Sequence, residues 1–350
     1  MVEKSLYVHI PFCTKKCGYC HFFVIKDEEK KHEDFVLTLK KEWRLFPLKN
    51  LISVYFGGGT PSLLKPHFFE ELLAEINPLP YAEITLEANP ERLNREGLIG
   101  FKEAGINRLS IGVQSFDNRH LSSLTRTHNA RQAIAAVLLA KESGFDNISI
   151  DLMFDLPGQT LENWEYSLNQ AVELPITHLS IYNLTIEPDT LFYKQKKKTL
   201  EGEPEYLDMA VRILEKAGLK RYEISGFAKE GFKAVHNTGY WRGRPFRGIG
   251  PSAFSYLEGA RFKNICNYKR YKELIESGNA ATDFTEKLPR ERSQRELFAI
   301  HLRLLEGAPL PKGVDISFLE RQGLVIKKGA LVQLTPLGLL HYDTVAAEIV

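Results

Sequence analysis

Residues 6–20 read LYVHIPFCTKKCGYC, a strand-like run that ends at Pro11 and then delivers three cysteines within eight residues. Proline fixes its own φ and donates no backbone hydrogen bond, so it marks where a ladder stops and a loop begins. The loop carries Cys13-x3-Cys17-x2-Cys20, and the chain has one further cysteine, Cys266. A disulfide framework needs partners spread along the chain. Thiols this close together read as metal ligands in a reducing compartment. A [4Fe–4S] cluster normally takes four thiolates; three can grip three irons and leave the fourth open to a small molecule. Two other readings stand beside this one. Zinc could take the three thiolates with His21 or Cys266 as fourth ligand, and an unligated cysteine is often a small core residue. The spacing favours the cluster.

Working outward, short β-branched runs alternate with amphipathic stretches. The runs are Leu6–Ile10, Ile52–Phe56, Glu83–Glu87, Arg108–Val113, Asn147–Leu152 and His178–Leu184. Helical patterns fill the intervals at Glu33–Phe46, Pro66–Ile76, Asn94–Ala104, Ala130–Ser143 and Leu161–Leu174. Gly105 and Gly144 follow two of them as C-caps. Asn129, three residues before Gln132, suits the N-cap of the fourth. This alternation predicts an α/β fold of parallel strands joined by right-handed crossovers. The runs are largely apolar, which predicts a sheet covered on both faces. In parallel β/α barrels the site collects at the C-terminal strand ends. Those ends here carry Pro11-Phe12-Cys13, Gly57-Gly58-Gly59-Thr60-Pro61, Ala88-Asn89-Pro90, Gln114-Ser115 and Asp155-Leu156-Pro157-Gly158, so one shared site is expected.

After about residue 190 the pattern changes. Lys194–Lys198, with Gly202 and Pro204, reads as an exposed connection, and Pro204–Gly218 as a helix. A loop-rich section follows, with Gly226, Gly231, Gly239, Gly243, Gly248 and Gly250. The end of the chain resembles a small winged-helix unit: helix Ile316–Gln322, a hairpin Leu324–Leu334 turning at Lys328-Gly329, and helix Pro336–Ile349. Three regions are therefore expected: 1–190, 191–284 and 285–350. From Thr285 onward 9 Lys and Arg face 8 Asp and Glu. Phosphate binding needs a positive surplus, so nucleic acid is not an expected partner. The whole 350-residue chain carries a net charge of only +2. No signal-peptide pattern opens it, and no run approaches the ~18 apolar residues of a membrane span. A cytoplasmic protein is expected.

The Gly57–Thr60 turn lets backbone approach a ligand closely. Glu87 can accept hydrogen bonds from hydroxyl or ammonium groups, and the Arg126 guanidinium can clamp a carboxylate. Gln114 and Asp151 end neighbouring strands. Each of these alone is more often structural; as a set on neighbouring strand ends they are credible contacts for one polar ligand.

C-x3-C-x-Y-C followed by GGGTP resembles the radical S-adenosylmethionine (SAM) superfamily. That resemblance implies a partial (β/α)6 barrel. It also implies a cluster whose open iron holds the methionine moiety of SAM, and one-electron cleavage to a deoxyadenosyl radical. YVHIPFC, FGGGTPS, LEANP, IGVQSF, DLMFDLPGQT and HLSIYNL are similar to the oxygen-independent coproporphyrinogen III oxidases and to the HemW haem chaperone family. In the oxidases, positions matching Tyr7, Glu87, Gln114, Arg126 and Asp151 contact SAM, and Tyr19, Gly58, Gly59 and Thr60 match further contacts. Thr185 stands where the oxidases have a smaller residue. Phe22 replaces an extra cysteine of their motif, and their N-terminal extension is missing ahead of Cys13. HNTGYW, residues 236–241, matches the HNxxYW signature of the HemW family. The resemblance thus implies haem as cargo, haem proteins as acceptors, and flavodoxin or ferredoxin as electron donor. It makes His236 the candidate haem ligand, while Tyr240 and Trp241 either stack on the macrocycle or pack the loop. Coproporphyrinogen oxidation is the alternative activity.

Overall fold

In the computed structural model, which describes residues 2–199 and 204–350, the six runs form parallel strands. They are β1 (Lys4–Ile10), β2 (Leu51–Gly58), β3 (Glu83–Ala88), β4 (Arg108–Gln114), β5 (Asn147–Phe154) and β6 (His178–Asn183). Each bonds to the next in chain order. Between them run α1 (His32–Leu45), α2 (Pro66–Ile76), α3 (Arg95–Glu103), α4 (Ala130–Glu142) and α5 (Leu161–Val172), close to the expected stretches. Asn129 and Gln132 form a reciprocal capping box at the start of α4. Gly105 and Gly144 take φ of 101° and 88°, the left-handed conformation that ends a helix.

Both faces of these strands are largely buried, as a covered sheet requires, but only the outer face is apolar. Along every strand the outward residues are apolar, for example Leu6, Val54, Leu86, Ile111, Ile150 and Leu179, and they pack beneath Phe35, Phe69, Phe101, Val137 and Trp164 of the helices. Each such side chain, fully buried, stabilises by about 1.5–3 kcal/mol. The alternate residues, among them Ser5, Ser53, Thr85, Arg108, Ser149 and His178, are polar and also buried. They face the inside of the barrel, where hydrogen bonds to one another replace water: Ser53 donates to Ser5 at 2.8 Å, and His178 Nδ1 meets Ser149 at 2.8 Å.

The section from Gly226 to Gly250 was expected to be loop-rich, and this is corrected, because its short runs extend both edges of the sheet. At one edge β8 (Gly226–Ala228) adds antiparallel to β6, and β7 (Lys220–Arg221) pairs antiparallel with β8 outside it. At the other, β9 (Phe246–Ile249) adds parallel to β1, followed by antiparallel β10 (Phe254–Leu257), β11 (Ala260–Asn264) and β12 (Thr282–Lys287). The result is one twelve-stranded sheet. Helices α6 (Pro204–Lys216), α7 (Val235–Trp241) and α8 (Tyr268–Glu276) pack along it. Lys194–Lys198 is exposed as expected; Gly202 lies outside the described residues.

The C-terminal region has a core of its own around Phe298, Leu302, Ile316, Leu319, Val332, Val345 and Ile349. It contains α9 (Arg290–His301), α10 (Ser317–Arg321), α11 (Pro336–Leu340) and α12 (Tyr342–Ile349). A three-stranded sheet joins them, whose hairpin pairs Lys328 with Leu331 across Gly329. The expected last helix is broken at His341. Among the described residues no helix is long and apolar enough to cross a membrane.

Candidate functional site

The C-terminal ends of β1 to β6 open onto a cavity of about 520 Å³. Cys13, Cys17 and Cys20 line one side of it, half-buried and free of disulfides. The loop that carries them is held by its backbone. Asp27 N–H donates to the Cys13 carbonyl at 3.0 Å, and Cys20 N–H to that of Cys17 at 3.1 Å. Gly18 N–H donates to Thr125 Oγ1 at 2.8 Å, and a Cβ on Gly18 would overlap the Phe192 ring.

The opposite wall is the Gly57–Thr60 turn. Gly59 N–H donates to the Ile10 carbonyl and Thr60 N–H to that of Phe12, both at 2.8 Å. A Cβ at Gly59 would strike the Phe12 carbonyl, so the turn and the cysteine loop can approach only with glycine there. Gly58 has φ of 114°. Its N–H donates to Glu87 Oε2 at 3.0 Å, while Tyr55 O–H donates to Oε1 at 2.7 Å.

Arg126 ties the floor together. Its Nη2 donates to Asn89 Oδ1 at 2.7 Å and to the Gly112 carbonyl at 2.8 Å; Nη1 lies 3.6 Å from Cys17 Sγ. Among the described residues its buried Nε has no hydrogen-bond partner. Asn89 also donates to Thr60 Oγ1 at 3.1 Å. Gln114 takes a left-handed φ of 67° at the end of β4, a strain that non-glycine residues carry mainly at functional positions. Burial pushes the Glu87 carboxyl up. Burial, then the charge of Glu87, pushes Asp151 up to about 7. Two carboxyls of raised affinity for protons thus face one guanidinium and three thiols, a setting that suits a ligand bringing its own positive charge.

Of the residues singled out in the sequence, Cys13, Cys17, Cys20, Tyr19, Gly58, Gly59, Thr60, Glu87, Gln114, Arg126 and Asp151 all line this cavity, as does Thr185. Tyr7 does not. It lines a second cavity and stands beside the first, stacking on the Tyr55 ring at 6.1 Å, with its hydroxyl pKa raised by burial and then by the charge of Glu87. His236 lines neither cavity, and the expectation that it presents its imidazole to a ligand is corrected. It is 1% exposed. Its Nδ1 meets Ser53 Oγ at 3.0 Å and its Nε2 meets Tyr240 O–H at 2.8 Å. It stands toward the N-terminal end of the barrel, where Glu83 accepts the His236 and Val235 N–H groups at the start of α7. One residue escaped the sequence reading, Tyr55, whose signal was its alternation with Gly57; Asn89 is noted there only as part of the strand end Ala88-Asn89-Pro90, and it anchors both Arg126 and Thr60.

The three thiols fit an iron–sulfur cluster: they share one loop, are unpaired, and look into a cavity whose far wall is bare backbone. Among the described residues no group of three or more His, Cys, Asp or Glu is arranged to hold a single metal ion.

The radical SAM superfamily pattern matches residues 7–171. The chain is 35% identical to the heme chaperone HemW of Bacillus subtilis (strain 168), over 97% of this chain and 93% of that one. It is 36% identical to the heme chaperone HemW of Haemophilus influenzae, over 91% and 88%. Among solved structures, coproporphyrinogen III oxidase (HemN) from Escherichia coli matches with a TM-score of 0.85 at 24% identity, over 99% of this chain and 90% of that one. That likeness shows a shared fold.

Proposed function

The chain belongs to the HemW family of radical SAM proteins, and from that premise we propose that it binds haem and passes it to acceptor haem proteins, with a [4Fe–4S] cluster on Cys13, Cys17 and Cys20 and SAM beside it. The observation that carries the reading is the first cavity, where three free thiols meet Glu87, Gln114 and Asp151 from successive strands and Arg126 from the loop after the fourth. The cluster supplies an open iron for the amino-acid part of SAM and single electrons from a flavodoxin- or ferredoxin-like donor.

The chain's own residues do the positioning. Gly58, Gly59 and Thr60 offer backbone to the methionine moiety. Glu87 and Asp151 accept hydrogen bonds from ammonium and ribose groups. Arg126, already fixed by Asn89 and Gly112, places its guanidinium charge beside a ligand carboxylate. Gln114 adds an amide at the same mouth, and Tyr19 closes the side next to Arg126. Tyr7 steadies this arrangement at one remove, through Tyr55 and Glu87.

Anaerobic reconstitution tests the cluster. About four irons per chain are expected, lost in Cys13→Ser, Cys17→Ser or Cys20→Ser and kept in Cys266→Ser. Stoichiometric zinc without iron–sulfur absorbance would refute it. SAM should alter the electron paramagnetic resonance spectrum of the reduced cluster, and Glu87→Ala should weaken that response without loss of iron. Purified protein should bind roughly one haem. Conversion of coproporphyrinogen III to protoporphyrinogen IX, absent in Cys17→Ser, would replace the chaperone reading with the oxidase one.

A further inference from the structure

Behind the cysteine loop lies a second cavity of about 1090 Å³, twice the volume of the first and at the upper end of what small-molecule sites reach. Apart from His21 and Phe22, which line both cavities, it is built from parts the first site does not use. The sheet extension β9 to β12 forms one wall, the end of α7 another, and Glu296, Leu297 and Ile300 of α9 a third. Its lining is dominated by rings, among them Phe22, Phe23, Tyr240, Trp241, Phe246 and Phe254. Three rings that line it, Phe22, Phe254 and Phe284, remain 53%, 48% and 43% exposed. Leaving large aromatic surface in water in one concave place is unfavourable, and such patches mark binding sites.

Charge narrows the occupant. The lining includes three cations and three carboxylates. Arg261 is committed to Glu286 and Glu296. Among the described residues Arg244 and Lys263 form no ion pair with a carboxylate. Arg244 donates to Ser5 and to the Val235 carbonyl, and Lys263 lies 5.4 Å above the Phe254 ring. Asp283 is the one carboxylate left over, and it is exposed on β12. A cavity with aromatic walls and two spare cations suits a flat, apolar ring system that carries two carboxylates.

We propose that this cavity is where the haem cargo sits, its macrocycle between the aromatic walls and its propionates on Lys263 and Arg244. The inference rests on the reading of the protein as a haem carrier and adds the location. It explains the role of the HNTGYW segment without an iron–histidine bond. Glu83 holds the start of α7, and His236 bonds the Tyr240 hydroxyl. The helix thereby sets Tyr240 and Trp241 as a fixed wall of the cavity.

The test titrates the full-length, cluster-loaded protein with haem and with haem dimethyl ester, whose carboxylates are blocked, and follows the Soret band. Haem should bind at least about tenfold more tightly than the ester, the scale of a charge-assisted hydrogen bond. Lys263→Glu should weaken haem by a similar factor and leave the ester unaffected, while Lys263→Arg should restore haem affinity. Iron content and the spectral response to SAM should stay unchanged in both variants, since neither touches the first cavity. If the wild type binds no haem, the carrier function itself falls. If it binds haem and the ester equally well, and Lys263→Glu changes nothing, the function stands and this location is wrong. Should Lys263→Glu fail to fold, the comparison of haem with its ester on the wild type decides alone.

Discussion

His236 and Glu42 show how burial sets what a titratable side chain can do. Burial first, then the charges of Arg244 and Arg108, lower the His236 pKa to about 3. Its unfolded value lies near 6.5, so between those values the unfolded chain binds the extra proton. Stability is therefore fully present above about pH 6.5 and declines as pH falls toward 3. Glu42 works in the opposite direction. Burial raises it to about 7, although it accepts hydrogen bonds from Tyr271, Gly250 and Asn264. Stability from this group is present below about pH 4.5 and is lost as pH rises through 7. Urea unfolding across pH should give a maximum between the two limbs. Glu42→Gln should flatten the alkaline limb, and an unchanged alkaline slope would show that Glu42 ionises freely in the native state. His236→Ala should cost about 2–4 kcal/mol by opening a cavity and removing the partner of the Tyr240 hydroxyl, while Ser53 keeps its bond to Ser5. It should leave the Soret maximum of bound haem in place; a shifted maximum would return His236 to the iron.

At the scale of elements, the capping box of α4 is a local device and its effect is separable. Asn129→Ala should lower stability by about 1 kcal/mol in denaturant titration without touching iron content. A loss of iron would mean that α4 positions the cysteine loop, which its contacts do not suggest. The same locality explains which elements could be read from sequence. β1 to β6 and α1 to α5 carry their own signals: apolar runs, caps and Gly stops lie within each segment. β7 to β12 do not. They are two to six residues long, mix charged and aromatic residues, and become strands because an open sheet edge supplies their partners. The polar inner face of the barrel was legible in principle, since Ser5, Tyr7 and His9 alternate with Leu6, Val8 and Ile10, but short runs rich in Val and Ile mask a period of two. The cysteines and most of the strand-end residues were legible because barrel geometry gathers such ends into one place. His236 was not, because a motif gives residue identity and not the direction a side chain faces.

Across the whole molecule, the two cavities are separated by very little. His21 and Phe22, the residues directly after Cys20, line both of them, and their rings lie 4.5 Å apart. A ligand in the first cavity that orders the cysteine loop must also set the position of these two rings, and so one wall of the second. Binding at the two sites is then linked, and linkage is reciprocal. Saturating SAM should change the affinity of the cluster-loaded protein for haem, and saturating haem should change its affinity for SAM by the same factor. Couplings of this kind typically amount to roughly 5–150-fold. Phe22→Ala removes most of the partition and should reduce the factor toward one while each ligand alone still binds. Haem titrations followed at the Soret band, with and without SAM, and calorimetric SAM titrations, with and without haem, measure the two halves of the cycle. Equal haem affinities in the presence and absence of SAM would show that the His21–Phe22 partition transmits nothing and that the cavities act independently.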